Sequence, residues 1–279
     1  MSHIYGYIAS EPTRVDCALI RSQRALIRQG FNESRNRPRA DGWGAALFVE
    51  DEIRISRKLI TRPDEPIFDA NIADTRARAG IVHVRHGTIG KPDRKNIHPF
   101  LHESWGFAHH GTVENFHTLR RELLGELTPE FRRGVEGATD SEHIFFLFLS
   151  YLKRSAGSIA GDAPINRIRD SLRKAASMLN EWSERTGTRV QSGLAMMASN
   201  RRTLLACSQG GPLFYLERSE SVRCPICGTH HREGGEGAAY RAVAVSAEPT
   251  SAEDWREVPG GNVLLVDPDL MAEITLIED

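Results

Sequence analysis

The chain has 279 residues, of which 40% are hydrophobic and 26% are charged, and its formal net charge is −1. The near balance of basic and acidic residues excludes a general nucleic-acid binder, because phosphate contacts require an excess of basic side chains. No apolar run approaches the roughly 20 residues that a membrane span needs, and the first residues lack the pattern of a secretory signal, so we expect a cytoplasmic protein without membrane contacts.

The first half of the chain predicts strands separated by short helices. Apolar runs rich in β-branched residues predict strands at IYGYIA, GWGAALFV, IRISRKL, GIVHVRHGT and SWGFAHHGTV. Helices are predicted from Val15 to Gly30, over residues 68–79, and from Asn115 to Leu124, with Asn115 as the expected N-cap.

Two longer helices and a run of strands are predicted in the second half. The segment EHIFFLFLSYL, which follows Asp140, is too apolar for a surface helix and predicts a helix buried on most sides. APINRIRDSLRKAASMLNEW has apolar residues at spacings of three and four, which predicts an amphipathic helix. LAMMAS, TLLAC, LFYL, YRAVAV and NVLLV predict strands, and GGEGAA near residue 235 predicts a flexible loop. This order favours one layered domain over residues 1–279.

The residue after the initiator methionine is Ser2. Initiator methionine is usually removed before a small residue, and removal would leave a hydroxyl and a free α-amine on the same residue. An α-amine has a pKa of about 7.7–8.0, so it can act as a base near neutral pH, and a nucleophile activated by its own terminal amine is an established arrangement for amide hydrolysis. The first ten residues alone favour the simpler interpretation, in which Ser2 is only a small residue after a start codon.

Five short motifs follow one another along the chain: DGWG at 41–44, HVRHGTIG at 83–90, NIHPF at 96–100, FAHHG at 107–111 and TDSE at 139–142. Together they resemble the class II glutamine amidotransferases of the N-terminal-nucleophile hydrolase superfamily, and SAEPTSAEDW at 246–255 is similar to a segment of the stand-alone members. The resemblance covers most of the chain. It implies an α+β fold, the four-layer αββα sandwich, and hydrolysis of the side-chain amide of glutamine or of a γ-glutamyl-like substrate without an organic cofactor.

The resemblance implies that three residues bind the amino-acid head group of the substrate. Arg85 matches the family arginine that binds the α-carboxylate, Thr88 matches the threonine of the same pocket, and Asp140 matches the acid that pairs with the α-ammonium. The simpler interpretations are that Arg85 pairs with a surface carboxylate and that Asp140 is the N-cap of the following helix. Three neighbouring motif residues are interpreted as packing or turn residues: Asp41, Trp43 and His98.

Two departures from the family pattern fall on the residues that carry the chemistry. Ser2 replaces the nucleophilic cysteine, and a serine hydroxyl is not ionised at neutral pH, so it depends wholly on its base. His110 replaces the asparagine that forms the oxyanion hole with the N–H of Gly111, and loss of one such donor costs on the order of 10²–10³ in rate. A histidine N–H donates from a different position.

Three interpretations of this site remain open. The first is an amidohydrolase with a serine nucleophile, and the intact pair of Arg85 and Asp140 favours it. The second is a non-catalytic relative that binds an amino-acid-type ligand or serves as a partner subunit. The third is a serine introduced to trap a substrate, which explains Ser2 but not His110. Biosynthetic members of the family carry a synthase domain or pair with a separate chain, so a synthase partner chain is a further expectation.

A cysteine–histidine cluster is predicted in an insertion at about residues 221–237. Cys224 and Cys227 have the CPxCG form of a zinc knuckle, in which the turn directs two thiolates at one ion. His230 and His231 lie close enough to add ligands, although adjacent residues can bind one ion only in an irregular loop. We expect a structural zinc site formed by the two cysteines and one or both histidines, with or without a further ligand from elsewhere. The alternative is a pair of free thiols.

Overall fold

Two antiparallel β-sheets pack face to face at the centre of the fold. The computed structural model describes residues 2–32, 40–61, 68, 70–186, 194–219, 223–224, 226–232 and 240–278. The strands are β1 (His3–Thr13), β2 (Gly42–Val49), β3 (Glu52–Leu59), β4 (Ala77–Arg85), β5 (Phe100–His102), β6 (Trp105–His110), β7 (Leu194–Ser199), β8 (Leu204–Gln209), β9 (Phe214–Arg218), β10 (Ala242–Ser246), β11 (Arg256–Glu257), β12 (Asn262–Val266) and β13 (Ala272–Leu276).

Helices cover the outer surface of each sheet. They are α1 (Leu26–Asn32), α2 (Ala70–Asp74), α3 (Phe116–Glu126), α4 (Pro129–Gly134), α5 (Asp140–Ala156) and α6 (Ile165–Arg185). Apolar residues of α1 and α2 pack on the first sheet, and those of α3 to α6 pack on the second. A third apolar cluster fills the space between the sheets. These four layers confirm the predicted αββα sandwich.

The first sheet places the beginning of β1 beside the end of β4. Its strand order is β11-β9-β10-β1-β4-β2-β3, and the second sheet has the order β13-β12-β8-β7-β6-β5. In the first sheet His3 pairs with Val84, and Gly42 pairs with Arg85. The residue before β1, the last residue of β4 and the first residue of β2 therefore lie at the same end of this sheet.

Alternation along β1 divides its side chains between two apolar layers. Ile4 and Ile8 belong to the cluster between the sheets, whereas Tyr5 and Tyr7 belong to the cluster on the outer surface. Successive side chains of a strand point to opposite faces, so both faces of β1 are covered. This explains why the strand reads as a nearly continuous apolar segment.

The two central helices form as their sequences predict. The N-cap of α5 is Thr139, whose side-chain oxygen accepts a hydrogen bond from the backbone N–H of Glu142 at 3.3 Å. The helix ends at Gly157, which has a φ of 75°, a left-handed conformation that glycine adopts readily. α6 packs its apolar side on α5 and on the second sheet, and the more deeply buried α5 also contacts that sheet.

Two helix predictions differ from the structure. The segment from Val15 to Gly30 is divided into a π-helical turn, Cys17–Arg21, and the short helix α1. The side-chain oxygen of Ser22 accepts a hydrogen bond from the N–H of Arg24 at 3.1 Å, and such a local bond competes with helical bonding. The helix predicted over residues 68–79 is only α2, because Ala77–Ala79 pair with neighbouring strands instead. The predicted loop at GGEGAA lies outside the described residues.

The structure also contains short elements that the sequence pattern does not predict. These are α4, β5, β11 and β13. Asn115 does precede α3, but its side chain makes no capping hydrogen bond and its φ is 51°. Within the described ranges, no helix is long and apolar enough to cross a membrane.

Candidate active site and metal centre

Ser2 lies directly before β1 and is half-buried. Its Oγ accepts a hydrogen bond from the backbone N–H of His86 at 3.0 Å and lies 3.4 Å from the carbonyl oxygen of the same residue. His86 follows the last residue of β4, so antiparallel pairing of β1 with β4 brings the hydroxyl to this position. The side chain of Ser2 therefore lies beside the segment that carries Arg85.

Arg85 is 3% exposed and forms an ion pair with Asp41. Its Nη2 donates hydrogen bonds to the carbonyl oxygens of Ile89 at 3.1 Å and Gly90 at 3.2 Å. Gly87 makes room for the guanidinium, since a Cβ at this position would lie 2.1 Å from Nη1 of Arg85. The carboxylate partner of Arg85 is thus a partly exposed residue of the DGWG motif, and the interpretation of Asp41 as only a packing residue misses this pair.

The loop after β6 lies opposite the loop after β4. Gly111 has a φ of 112°, which side-chain-bearing residues rarely adopt. The next residue, Thr112, shares a hydrogen bond of 2.7 Å between its Oγ1 and the Oγ1 of Thr88. Because Thr88 follows a strand of the first sheet and Thr112 follows a strand of the second, this bond joins the two layers. His110, the last residue of β6, is buried.

Asp140 is buried at the first turn of α5 and holds the loop after β6. Its Oδ2 accepts a hydrogen bond from the N–H of Val113 at 2.8 Å, and its Oδ1 accepts one from the N–H of Ser141 at 2.9 Å. The N-cap of this helix is Thr139, so the interpretation of Asp140 as the cap is wrong. The hydroxyl of Ser141 hydrogen-bonds Nδ1 of His109 at 3.0 Å, which ties α5 to β6.

Two buried histidines, His83 and His98, lie near Arg85. The rings of His83 and His98 lie with centroids 4.1 Å apart and planes tilted by 41°. Burial lowers the pKa of both groups well below 6.5, and electrostatic repulsion from the neighbouring His110 and Arg85 lowers that of His83 further. Both rings are therefore neutral near pH 7. The ring of His98 also packs on Phe100 at 4.8 Å, which agrees with its predicted packing role.

The distal segment that contains SAEP lies against the beginning of β1. The hydroxyl of Ser246 donates to the carbonyl oxygen of Ile4 at 3.0 Å, and the N–H of Ala247 donates to the same oxygen at 3.2 Å. The carboxylate of Glu248 lies 3.8 Å from Nδ1 of His3. This segment thus fixes the strand that Ser2 precedes.

The structure brings the residues of the predicted active site to one end of the two sheets. Ser2 contacts the residue after Arg85, Thr88 contacts the residue after Gly111, and Asp140 binds the same loop. Two residues that contact the predicted site residues are not themselves predicted as site residues from the sequence: Asp41, which pairs with Arg85, and Thr112, which hydrogen-bonds Thr88. Asp41 carries a weak signal, because it is a carboxylate placed directly before a buried strand, whereas Thr112 carries none.

A cluster of three thiols and one imidazole lies where the loop between β9 and β10 meets the segment after β1. The ligand atoms of Cys17, Cys224, Cys227 and His231 all lie within 4.8 Å of one another, and Sγ of Cys227 is 3.2 Å from Nε2 of His231. Three thiols and one imidazole are a donor set that can hold a metal ion. Cys17, which no sequence motif singles out, is the fourth member of the group, whereas the predicted ligand His230 is not in it.

Protonation differs among the thiols of this cluster. Burial raises the pKa of the Cys17 thiol, whose side chain is 2% exposed. Burial also acts on Cys227, but hydrogen bonds with Thr229 and His231 outweigh it and lower its pKa to about 6. At pH 7 Cys227 is therefore mostly a thiolate, the form that binds metals.

The metal cluster and the candidate active site lie on opposite faces of the first sheet. A cavity of about 410 Å³ separates the cluster from the outer face of β1. Tyr5 and Tyr7 line this cavity, whereas Ile4 and Ile8 point to the space between the sheets. The cavity is therefore distinct from the site at Ser2.

The chain is similar in sequence to known proteins of one family. The chain matches the family model described as "Glutamine amidotransferases class-II" over residues 18–275. It is 25% identical over 287 residues to "Probable glutamine amidotransferase DUG3" of Saccharomyces cerevisiae, a match that covers 92% of this chain and 79% of the yeast protein. For several further curated relatives, the match spans 38% of the relative's length or less.

Two solved structures share the fold over nearly the whole chain. They are a glutamine aminotransferase class-II domain protein from Silicibacter pomeroyi, at 19% identity, and a predicted glutamine amidotransferase from Pseudomonas aeruginosa, at 21% identity. Each superposition covers 98% of both chains with a TM-score of 0.62. These similarities concern the arrangement of the two sheets and their helices.

Proposed function

The chain belongs to the class II glutamine amidotransferases, and on that basis we propose that it hydrolyses the side-chain amide of glutamine or of a γ-glutamyl-like substrate with Ser2 as nucleophile. The observation that carries the proposal is the hydrogen bond between Oγ of Ser2 and the backbone N–H of His86, next to the buried guanidinium of Arg85. A hydroxyl in this position is adjacent to a residue that can bind the α-carboxylate of an amino acid.

In the proposed reaction, removal of Met1 first frees the α-amine of Ser2. This amine takes the hydroxyl proton while Oγ attacks the amide carbon, and a tetrahedral intermediate forms. The amine then returns the proton to the leaving nitrogen, the C–N bond breaks, and ammonia departs from an ester on Ser2. Water, activated by the same amine, attacks the ester and releases the carboxylic acid.

The N–H of Gly111 and the ring of His110 are the proposed donors to the oxyanion. The positive φ of Gly111 fixes the direction of its peptide, and His110 is buried beside it. Donors that are held in place before the reaction stabilise the developing charge without reorganisation. This role requires that the His110 nitrogen facing the substrate carry a proton.

Arg85 and Asp140 are the proposed partners of the head group. In this proposal the α-carboxylate competes with Asp41 for the guanidinium of Arg85, so Asp41 sets how strongly Arg85 binds the substrate. The carboxylate of Asp140 already accepts two backbone hydrogen bonds and a third from the hydroxyl of Ser141 at 3.2 Å, and in this proposal the lone pair that remains on Oδ2 accepts from the ammonium group. Thr88 would line the same pocket.

The second candidate function is binding of an amino-acid-type ligand without catalysis, alone or as the partner subunit of a synthase chain. The replacement of both the family nucleophile and the family oxyanion donor favours this alternative. Under it the head-group residues would bind glutamine or glutamate, and no ammonia would be released. The two candidates therefore differ in a single measurable product.

Release of ammonia from glutamine, and of the corresponding amine from a panel of N-substituted γ-glutamyl amides, tests the proposal. Mass spectrometry first establishes that the purified protein begins at Ser2. We expect activity in the native protein, loss of activity in Ser2→Ala and retained or higher activity in Ser2→Cys. Ser10→Ala is the matched control, because Ser10 lies near the other end of β1, where its Oγ accepts from the N–H of Arg241 at 3.1 Å. Calorimetric binding of glutamine without ammonia release would instead establish the binding function.

We also propose that zinc is the ion held by the cysteine–histidine cluster and that its role is structural. Thiolate and imidazole ligands favour zinc among the common divalent ions, and mixed cysteine–histidine sets are typical of its structural sites. Metal analysis of the purified protein tests this proposal. We expect about one equivalent of zinc per chain, and less than about half an equivalent would reject zinc as the resident ion.

A further inference from the structure

We infer that Cys17 completes a closed, four-coordinate metal site with Cys224, Cys227 and His231, and that the bound ion ties the β9–β10 loop to the segment after β1. This inference rests on the proposed zinc site and adds its full ligand set and its mechanical role. Neither follows from the CPxCG pattern, which specifies only two of the four ligands.

The separation of the four ligand atoms fits a tetrahedral site. With Zn–S bonds of about 2.3 Å, the edges of a zinc–thiolate tetrahedron are about 3.8 Å long. All four ligand atoms lie within 4.8 Å of one another, and one edge, Cys227 Sγ to His231 Nε2, is 3.2 Å. Side-chain rotations that move the ligand atoms by up to about 1 Å would therefore bring these edges to the length that one zinc ion requires.

The backbone of the loop forms the turn that directs Cys224 and Cys227 at one point. The N–H of Gly228 donates to the carbonyl oxygen of Cys224 at 2.8 Å, and the N–H of Cys224 donates to the carbonyl oxygen of Thr229 at 2.9 Å. The N–H of Ile226 lies 3.4 Å from Sγ of Cys224, so the same turn also contacts this sulfur. Gly228 has a φ of 69°, which this turn requires and glycine readily adopts.

Backbone contacts hold the loop against the end of β1, where Cys17 lies. The N–H of Arg14 donates to the carbonyl oxygen of His231 at 2.9 Å, and Thr13 forms an isolated β-bridge with Arg232. The guanidinium of Arg76 donates to the same His231 carbonyl at 2.8 Å. These contacts fix the position of His231, and they bring the π-helical turn that begins at Cys17 into reach of the two loop thiols.

A site with four protein ligands leaves no position for a substrate or water, which makes it structural. Cys17, Cys224 and His231 also line the 410 Å³ cavity over the outer face of the first sheet. An ion bound to them would therefore fix one wall of that cavity. Without the ion, the described part of the loop would still be held by the backbone contacts of Thr13 and Arg14, by the guanidinium of Arg76 and by the ion pair of Arg232 with Glu11 at 3.7 Å.

Cobalt substitution in the full chain tests the ligand set. The metal is removed with a chelator, Co²⁺ is added, and the thiolate-to-cobalt charge-transfer absorption is recorded. Cys17→Ser should reduce this absorption by about a third, since three thiolates become two. It should also weaken metal affinity by more than the roughly 10–100-fold that follows the loss of a residue hydrogen-bonded to a metal ligand. Cys207→Ser is the matched control, because Cys207 is equally buried but lies in β8, outside the cluster.

A second pair of variants tests the choice of histidine. His231→Asn should alter the cobalt spectrum and weaken metal affinity, whereas His230→Asn should leave both unchanged. X-ray absorption of the native zinc protein provides a measurement that does not depend on a variant folding. It should report three sulfur ligands at about 2.3 Å and one nitrogen ligand at about 2.0 Å.

The outcomes separate this inference from the zinc proposal. A zinc-containing protein with two sulfur ligands, or an unchanged spectrum in Cys17→Ser, would overturn the ligand set while leaving zinc in place. Absence of any bound metal would overturn both. Neither outcome bears on ammonia release at Ser2, which is measured separately.

Discussion

Asp41 binds Arg85 through both its side chain and its backbone. The two side chains form an ion pair, and the N–H of Asp41 donates to the carbonyl oxygen of Arg85 at 2.9 Å. The guanidinium is buried, while Asp41 retains 23% exposure of its side chain. The carboxylate that neutralises the buried charge is therefore itself in contact with solvent at the candidate site.

Asp41→Asn should lower the free energy of unfolding by about 1–3 kcal/mol, because the buried guanidinium loses its charged hydrogen-bond partner while the shape of the side chain is kept. Urea denaturation measures the change. Asp51→Asn is the control, since Asp51 pairs with Arg201 at 2.8 Å but is fully exposed, and its loss should have no measurable effect. In the proposed function Asp41→Asn should also tighten glutamate binding, because Asp41 no longer competes for Arg85. Equal stability of Asp41→Asn and Asp51→Asn would contradict a stabilising role for the pair of Asp41 and Arg85.

Gly87→Ala should displace the guanidinium of Arg85, because the added Cβ would lie 2.1 Å from Nη1. Under the proposed function we expect the KM for glutamine to rise by roughly 10-fold or more, the effect of losing one charge-assisted hydrogen bond. Gly125→Ala is the matched change in α3, where an added Cβ meets nothing within 4 Å. It should leave KM unchanged and stabilise the helix by about 0.5–1 kcal/mol. An unaltered KM in Gly87→Ala would separate Arg85 from substrate binding.

Under the proposed function, His110→Asn would place at this position the amide donor that the family resemblance implies for the oxyanion hole. If the chain is an amidohydrolase, kcat/KM should rise by at least about 10-fold, since loss of such a donor costs on the order of 10²–10³ in rate. His117→Asn, at an exposed position of α3, is the control and should not change the rate. Steady-state ammonia release measures both variants. A fall in kcat/KM for His110→Asn would show that the histidine has a role of its own.

The buried histidines should make stability depend on pH below 6.5. Burial lowers the pKa of His83 and His98 well below 6.5 in the folded protein, so between 6.5 and those values the unfolded chain binds more protons. The free energy of unfolding should therefore fall as pH decreases from 6.5 to 5, by up to about 1.4 kcal/mol per pH unit for each histidine, and should be insensitive to these groups above 7.

Urea unfolding at a series of pH values between 5 and 8 measures this dependence. His83→Gln should reduce the slope below pH 6.5, because it removes one titrating group. His117→Gln should leave the slope unchanged, since this histidine is exposed. A native profile that is flat from pH 6.5 to 5 would show that the two buried rings are protonated in the folded state.

The long elements of the fold could be predicted because each carries its own pattern. The apolar run of α5, the spacing of α6 and the β-branched strands all specify their structure locally. Short elements such as β5 and β11 depend on their partners, which periodicity does not identify. Ala77–Ala79 favour a helix by composition, but pairing with β1 and β2 determines their structure.

The candidate sites show the same limit. Arg85, Thr88 and Asp140 lie in motifs, so the resemblance identifies them, whereas Asp41 gains significance only from its contact with Arg85. Cys224 and Cys227 have a recognisable spacing, but Cys17 is a single cysteine in an apolar segment. Only the tertiary structure shows that it lies beside the other two thiols.

The hydroxyl contact between Thr88 and Thr112 has a consequence for how the cleft opens. It spans the two layers at their rim, and both threonines are at least partly exposed, so water can replace either partner at little cost. Every backbone ladder, in contrast, runs within one sheet and is unaffected by sliding of one layer across the other. Small interlayer slippage would thus break exposed contacts of this kind, including that of Arg201 with Asp51, before any strand pairing, and the spacing of the two loops would change while both sheets stayed intact.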